Sequence, residues 1–222
     1  MKSINPTRTF SLLALALGLA LNGYSQSFVT NGLVAFYPFD GNANDASGNG
    51  NNGTVYGAVL TTNQFGTPNS AYYFNGVTNY ISVPNFMAAN ANSHTLSVWI
   101  KANSWTNIPN PSAGHVHIFS KDFGGSGPRQ WVLQGDQTGQ FRSAVFTSTA
   151  EHTFDSIAVL QTNQWYQLIQ VWDGTNNSIF INGAFDSSIP APGTLIQGTA
   201  PITIGGNSID ADQFFNGRIQ NS

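Results

Sequence analysis

The chain has 222 residues, of which 41% are hydrophobic, 13% aromatic and only 8% charged, with no cysteine and a formal net charge of −3. Globular proteins usually carry about 25% charged residues, so this surface must be made polar by Asn, Ser, Thr, Gln and Gly, as suits a turn-rich extracellular β-protein. Disulfides are excluded, and the domain must be held by its core or by a metal.

Lys2 and Arg8 flank the start of a short apolar run at 10–21, and Gly23 and Ser25 stand where a signal peptidase reads small residues. This is the pattern of a secretory signal peptide over 1–25, cleaved between Ser25 and Gln26, because a membrane span needs roughly 18 apolar residues. Its loss leaves five basic residues against ten acidic ones. No basic cluster remains to bind phosphates, which argues against nucleic acid, and no later apolar run reaches membrane length.

From there, short runs rich in β-branched and aromatic residues alternate with Gly, Pro, Asn and Asp. They lie at 33–39 (LVAFYPF), 54–60, 70–75, 80–83, 95–102 (TLSVWIKA), 116–120, 130–134, 141–148, 156–160, 165–172, 178–181, 202–204 and 214–219. No window of 11 or more residues keeps a 3.6-residue apolar period, and 86–92 (FMAANAN) supplies one helical turn at most. The pattern predicts an all-β, two-sheet antiparallel β-sandwich in one domain, about 28–219. Counted by twos, Trp165, Ile169 and Val171 share one face of 165–172, and Tyr166, Leu168 and Trp172 the other. Both faces are apolar, so this is an interior strand, with Trp172 a ligand candidate only if its side lines a concave sheet. Trp99, within TLSVWIKA, is expected to face the core.

The segments GLVAFYPFDGNANDASGNGNNGT (32–54), NSAYYFNGVTNYISV (69–83) and TLSVWIKA resemble the opening strands of the LamG-like jelly-roll family, of the concanavalin A-like lectin/glucanase fold. WYQLIQVWDG (165–174), IFINGAFDSS (179–188), PITIGG (201–206) and FFNGRI (214–219) then follow in that family's order. The resemblance implies two curved antiparallel sheets and a role in binding glycans or protein partners, without catalysis. It also implies an acidic pair and a longer run after FFNGRI. Here the chain continues Gln220-Asn221-Ser222, so any ligand placed on that pair is missing, and a fragment, or a gene interrupted near its end, is a reading this leaves open.

Asp40, Asn42, Asn44, Asp45 and Asn49 offer many hard oxygens, and calcium takes six to eight. The stretch fails the EF-hand pattern at its sixth and twelfth positions, Asp45 and Asn51. The DASGN match to the family nevertheless makes Asp40, Asn42, Asp45 and Asn49 candidate calcium ligands. The competing reading is a series of Asx-turns. In GHVH (114–117), His115 and His117 share a strand face, but no third ligand stands at a metal-site spacing, so they read as polar residues on a wet face. Glycoside hydrolysis requires two placed carboxylates. Glu151 is the sole Glu, and Asp210 and Asp212 alternate only within a turn-rich segment. The chain is therefore read as a non-enzyme.

Sugar recognition stacks an aromatic ring on the apolar face of a pyranose and hydrogen-bonds the hydroxyls. Trp105, beside Asn107 in the long loop 103–114, and Trp131, beside Arg129, are the candidate ligand-binding residues. The expected function is a secreted binding module for extracellular glycan. The alternatives are an adhesion module for a cell-surface or matrix protein, or an accessory domain of a larger secreted enzyme.

Overall fold

Fourteen strands and no helix make up the described part of the computed structural model, which covers residues 31–86, 92–106, 114–122, 128–207 and 212–220. The leader at 1–25, the helical turn expected within 86–92, and Asn107 lie wholly or largely outside these residues. In chain order the strands are β1 (Thr54–Tyr56), β2 (Val59–Thr61), β3 (Ala71–Asn75), β4 (Tyr80–Val83), β5 (His94–Ser104), β6 (His115–Lys121) and β7 (Trp131–Asp136). They continue as β8 (Gln140–Phe146), β9 (Glu151–Val159), β10 (Tyr166–Trp172), β11 (Asn176–Ile181), β12 (Ala184–Pro190), β13 (Ile202–Ile204) and β14 (Asn216–Gln220). One seven-stranded sheet runs β1-β4-β13-β6-β7-β8-β9 and the other β12-β11-β10-β5-β14-β3-β2. This is the expected antiparallel sandwich of the concanavalin A-like type. Gly32–Ser222 cluster as one unit.

Period-two alternation builds the core. Leu96, Val98, Ile100 and Ala102 of β5, Trp131 and Leu133 of β7, Phe141 and Val145 of β8, and Leu168 and Trp172 of β10 all point inward. Trp99 belongs to the opposite parity of β5 and is half-buried on the outer face, against the expectation that it fills the core. Trp172 is fully buried and donates its indole N–H to the Ala191 carbonyl at 2.9 Å, which closes its claim on ligand.

Two expected strands come out differently, a third, expected at 156–160, is β9 at Glu151–Val159, and one observed strand was not expected. The 33–39 segment forms no ladder. Pro38 lacks an N–H, Phe39 sits at φ 56°, and Phe36 spends its amide on Asp45 Oδ1 and its carbonyl on the amide of Ala46. Tyr37 and Phe39 still enter the core. The 54–60 run breaks into β1 and β2 at Gly57, whose φ of 73° a side chain would resist. β12, absent from the sequence reading, ends in Pro190 and carries Asp186-Ser187-Ser188, the polar make-up of an edge strand. Its signal is Asn182-Gly183, both at positive φ (52° and 78°), a turn that returns the chain antiparallel.

A polar bridge crosses the interior. Gln170 of β10 donates to Ser143 Oγ of β8 at 2.5 Å, and its oxygen faces His94 Nε2 at 3.3 Å. Ser143 in turn donates to Asn177 Oδ1 at 3.1 Å. The His94 ring lies between Trp131 and Trp172, with centroids 6.3 and 5.7 Å away. Burial outweighs the Gln170 contact and pulls the His94 pKa down to about 4. At the end of β6, Lys121 is fully buried with no hydrogen-bond partner at Nζ, and burial lowers its pKa to about 8.

Both groups fold neutral more readily than they unfold neutral, so each makes stability rise with pH, in its own window. Chemical-denaturation stability is expected to fall by about 2–3 kcal/mol between pH 7 and pH 4 through His94. Because carboxylates also titrate there, the His94→Gln difference isolates this share: the slope between pH 6.5 and 4 should flatten. For Lys121, stability should climb between pH 8 and 10.5, and Lys121→Met should raise the melting temperature at pH 7 and remove that climb. An unchanged alkaline slope in Lys121→Met would contradict the assignment.

Candidate functional site

With Trp131, Leu133, Phe141 and Val145 turned inward, the alternate residues of the same strands point out. These are Val132 and Gln134 on β7 and Arg142, Ala144 and Phe146 on β8. Register then sets their β9 neighbours on the same face: Asp155 beside Arg142, Thr153 beside Ala144 and Glu151 beside Phe146. On the other side, His117 of β6 pairs with Gln134. These strands enclose an outward groove of about 160 Å³, whose rim includes Asp122, Arg129 and Gln213. Its floor is the small apolar cluster Val132, Ala144 and Phe146, and the Arg129 guanidinium stands 5.9 Å over the Phe146 ring.

The walls are tied into a directed hydrogen-bond network. Arg142 grips Asp155 with two bonds, Nε to Oδ1 at 2.6 Å and Nη2 to Oδ2 at 2.8 Å, and points Nη1 at His115 Nε2. The hydrogen bond to Arg142 holds the Asp155 carboxyl below its ordinary range, and the same bond raises the Arg142 pKa. Gln134 Nε2 meets His117 Nε2 at 2.6 Å, and His117 Nδ1 meets Ser120 Oγ at 3.0 Å. An amide nitrogen can only donate, so His117 accepts at Nε2, carries its proton on Nδ1 and donates to Ser120. Ser120 Oγ also shares a hydrogen bond with Thr203 Oγ1 at 3.0 Å. By the same logic His115 accepts from Arg142 at Nε2. At the rim, Arg129 is paired with Asp122 at 3.1 Å. Each guanidinium of the groove thus faces a carboxylate.

Of the candidates read from sequence, Arg129 does reach this groove, as does the pair His115 and His117. Trp131 does not: it is fully buried, between His94 and Phe119. Trp105 is also a correction. It is 6% exposed, donates Nε1–H to the Leu160 carbonyl at 3.1 Å, and lies so close over Gly135 that a Cβ there would meet its ring at 2.2 Å. A large ring on a short post-strand segment finds more apolar area inward than in solvent. Neither indole offers a face for stacking. Gln134, Arg142, Thr153 and Asp155 were overlooked. Their signal is the polar parity inside otherwise apolar strands, which singles out a face but not its curvature.

The acidic loop is organised by its own backbone. Asp45 Oδ1 accepts the amides of Phe36 (3.0 Å) and Ser47 (2.8 Å), and Oδ2 the amide of Asn51 (3.0 Å). Asn42 Oδ1 accepts the amide of Asn44 at 2.8 Å, and Asn49 turns its amide nitrogen to the Leu33 and Val34 carbonyls, both at 3.0 Å. Asp40 is exposed at the loop's start. So arranged, the side-chain oxygens of Asn42 and Asp45 already serve N–H donors and Asn49 turns nitrogen to its neighbours, which is the bonding of an Asx-turn series. Among the described residues no three His, Cys, Asp or Glu gather as a metal site. Burial acts to raise the Asp45 pKa, but the amide bonds from Phe36, Ser47 and Asn51 outweigh it and hold the carboxyl low.

That carboxylate therefore stabilises the fold above its unfolded pKa, and the contribution is lost as pH falls through its lowered folded value. Asp45→Ala should cost about 2 kcal/mol, or about 4–8 °C in melting temperature at pH 7, equally in chelator and in millimolar calcium. A calcium-dependent melt that disappears in Asp45→Ala would reassign these oxygens to a cation.

The architecture recurs in solved structures. Domain 4 of AbnA, a GH43 extracellular arabinanase from Geobacillus stearothermophilus, solved with arabinotriose, matches with TM-score 0.63 and 21% identity over 85% of this chain and 89% of that one. The binding domain of Paraclostridial Mosquitocidal Protein 1 matches with TM-score 0.68 and 15% identity, over 86% and 48%. The binding domain of botulinum neurotoxin DC, solved in complex with SialylT, gives TM-score 0.61 and 16% identity, over 85% and 46%. The chain spans about half the length of these toxin binding domains, and identities this low carry the fold alone. Among curated proteins none matches. The Laminin_G_3 model matches residues 75–221, two thirds of the sequence, and the chain therefore belongs to that family of the concanavalin A-like lectin/glucanases superfamily.

Proposed function

We propose that this protein is a secreted, non-catalytic binding module that takes a neutral glycan unit in the outer groove of the β1–β9 sheet. The observation that carries the reading is the groove's chemistry: an apolar floor, a ring of oriented donors and acceptors, and guanidinium groups already matched by carboxylates. Sugar hydroxyls exchange hydrogen bonds with such walls, and the Val132, Ala144 and Phe146 floor suits the C–H face of a ring. A uronate or sialate would bring a negative charge towards Glu151, Asp122 and Asp155 with no unmatched guanidinium to receive it. The binding domains of similar fold that were solved with arabinotriose and with SialylT support a glycan role in general.

Hydrolysis is disfavoured by the same contacts. A glycosidase needs one carboxyl held protonated as the acid, and Asp155 is driven the other way by Arg142. Export follows the leader read at 1–25.

On a glycan array of the mature chain, neutral glycans should be retained and their carboxylated counterparts bound more weakly. Gln134→Ala should weaken retention by about three- to tenfold, the worth of one or two hydrogen bonds, without lowering the melting temperature by more than a few degrees. Retention of acidic glycans alone, or full retention by Gln134→Ala, would overturn the assignment.

A further inference from the structure

A second feature lies on the same outer face, at the far edge of the sheet. In β4, Ile81 and Val83 point into the core, so Tyr80 and Ser82 point out. Register places Tyr56 of β1 directly opposite Tyr80. The two rings stack with centroids 4.6 Å apart and planes 11° from parallel. Tyr56 remains 47% exposed. Its position on the edge strand leaves the ring side away from Tyr80 without a strand beside it.

This shelf connects to the groove. The Phe214 ring lies 6.4 Å from that of Tyr80. The backbone of that segment bridges to β6, with the His117 amide donating to the Gln213 carbonyl at 2.7 Å, and Gln213 lines the groove itself. Strands β1, β4, β13, β6 and β7 are consecutive neighbours, so Tyr80 stands three strand spacings from Gln134, about 14 Å, and Tyr56 four, about 19 Å. The groove's 160 Å³ falls below the roughly 300–1,000 Å³ of pockets that enclose a whole ligand. One sugar ring in the groove would leave further units of its chain on the sheet surface.

The geometry points to Tyr56 and Tyr80 as a second subsite, where a later unit of a neutral, linear oligosaccharide stacks while an earlier unit occupies the groove. The glycan then runs across the strands of the sheet. The inference rests on the groove being a glycan site and adds chain length and direction to it. Tyrosine suits the role: its ring face attracts the partly positive C–H groups of a sugar, and its hydroxyl reaches a sugar oxygen at the rim. Neither ring carries a charge that would discriminate among neutral sugars.

Calorimetric titration with arabino-, xylo- and cello-oligosaccharides of one to six units tests this. For the series that binds, affinity should rise by about three- to tenfold once the oligosaccharide is long enough to reach the shelf. Tyr56→Ala and Tyr56→Ser should remove that rise and leave the shortest binding unit unaffected, while Tyr56→Trp keeps it. Gln134→Ala should weaken every length. Affinity independent of length, a rise that survives Tyr56→Ala, or equal weakening at all lengths in the Tyr56 variants would overturn the second subsite and leave the groove standing. Absence of binding by all three series would overturn both.

Discussion

Closure of two seven-stranded sheets over one interior is the constraint on which everything else depends. With no cysteine and few charges, burial between the sheets is what remains to hold the chain. Trp131 from one sheet and Trp172 from the other occupy that interior with the His94 ring between them, and the chain Gln170–Ser143–Asn177 satisfies polar groups that would otherwise be stranded there. Large aromatics are the most effective fillers of such a space, which is why tryptophans that resemble ligand platforms in the sequence are structural.

The same alternation that fills the interior creates the groove. Strands β7 and β8 turn large apolar residues to the interior and a mixed set, Gln134 and Arg142 with Val132, Ala144 and Phe146, to the outer side, so core and candidate site are two faces of one ladder. Arg142 is held by Asp155 and oriented towards His115, and Gln134 is oriented by His117, Ser120 and Thr203. A site so tied loses little side-chain freedom when a ligand arrives. Its cost is that the guanidinium groups are engaged before any ligand comes, which favours hydroxyls over carboxylates as guests.

In the acidic loop, local backbone amides take up oxygens that composition alone would offer to a cation. Asp45, Asn42 and Asn49 have the oxygen content of a cation site, yet amides at 35–51 are close enough in sequence to claim those oxygens first. Short-range backbone donors compete with a distant ligand at no cost in chain closure. The 33–39 run departs from its strand reading because Pro38 and Phe39 divert its backbone towards that loop.

Fold class was legible in the amino-acid sequence because period-two patterning and turn residues act locally: the short strands, most of their bounds, the Asn182-Gly183 turn and the interior character of β10 follow from neighbours in the chain. The shared face of His115 and His117 on β6 was legible for the same reason, although His117 is buried there rather than wet, with both ring nitrogens bonded. What only the tertiary structure decided depends on pairings between distant segments. Inverting Trp99 and burying Trp105 over Gly135 required knowing which parity of β5 faces the second sheet and where the chain turns after it. Bringing Arg142 to Asp155, and Tyr56 to Tyr80, required the strand register. Register is set by the whole ladder rather than by any residue's neighbours, so the candidate site became visible only once the strands were paired.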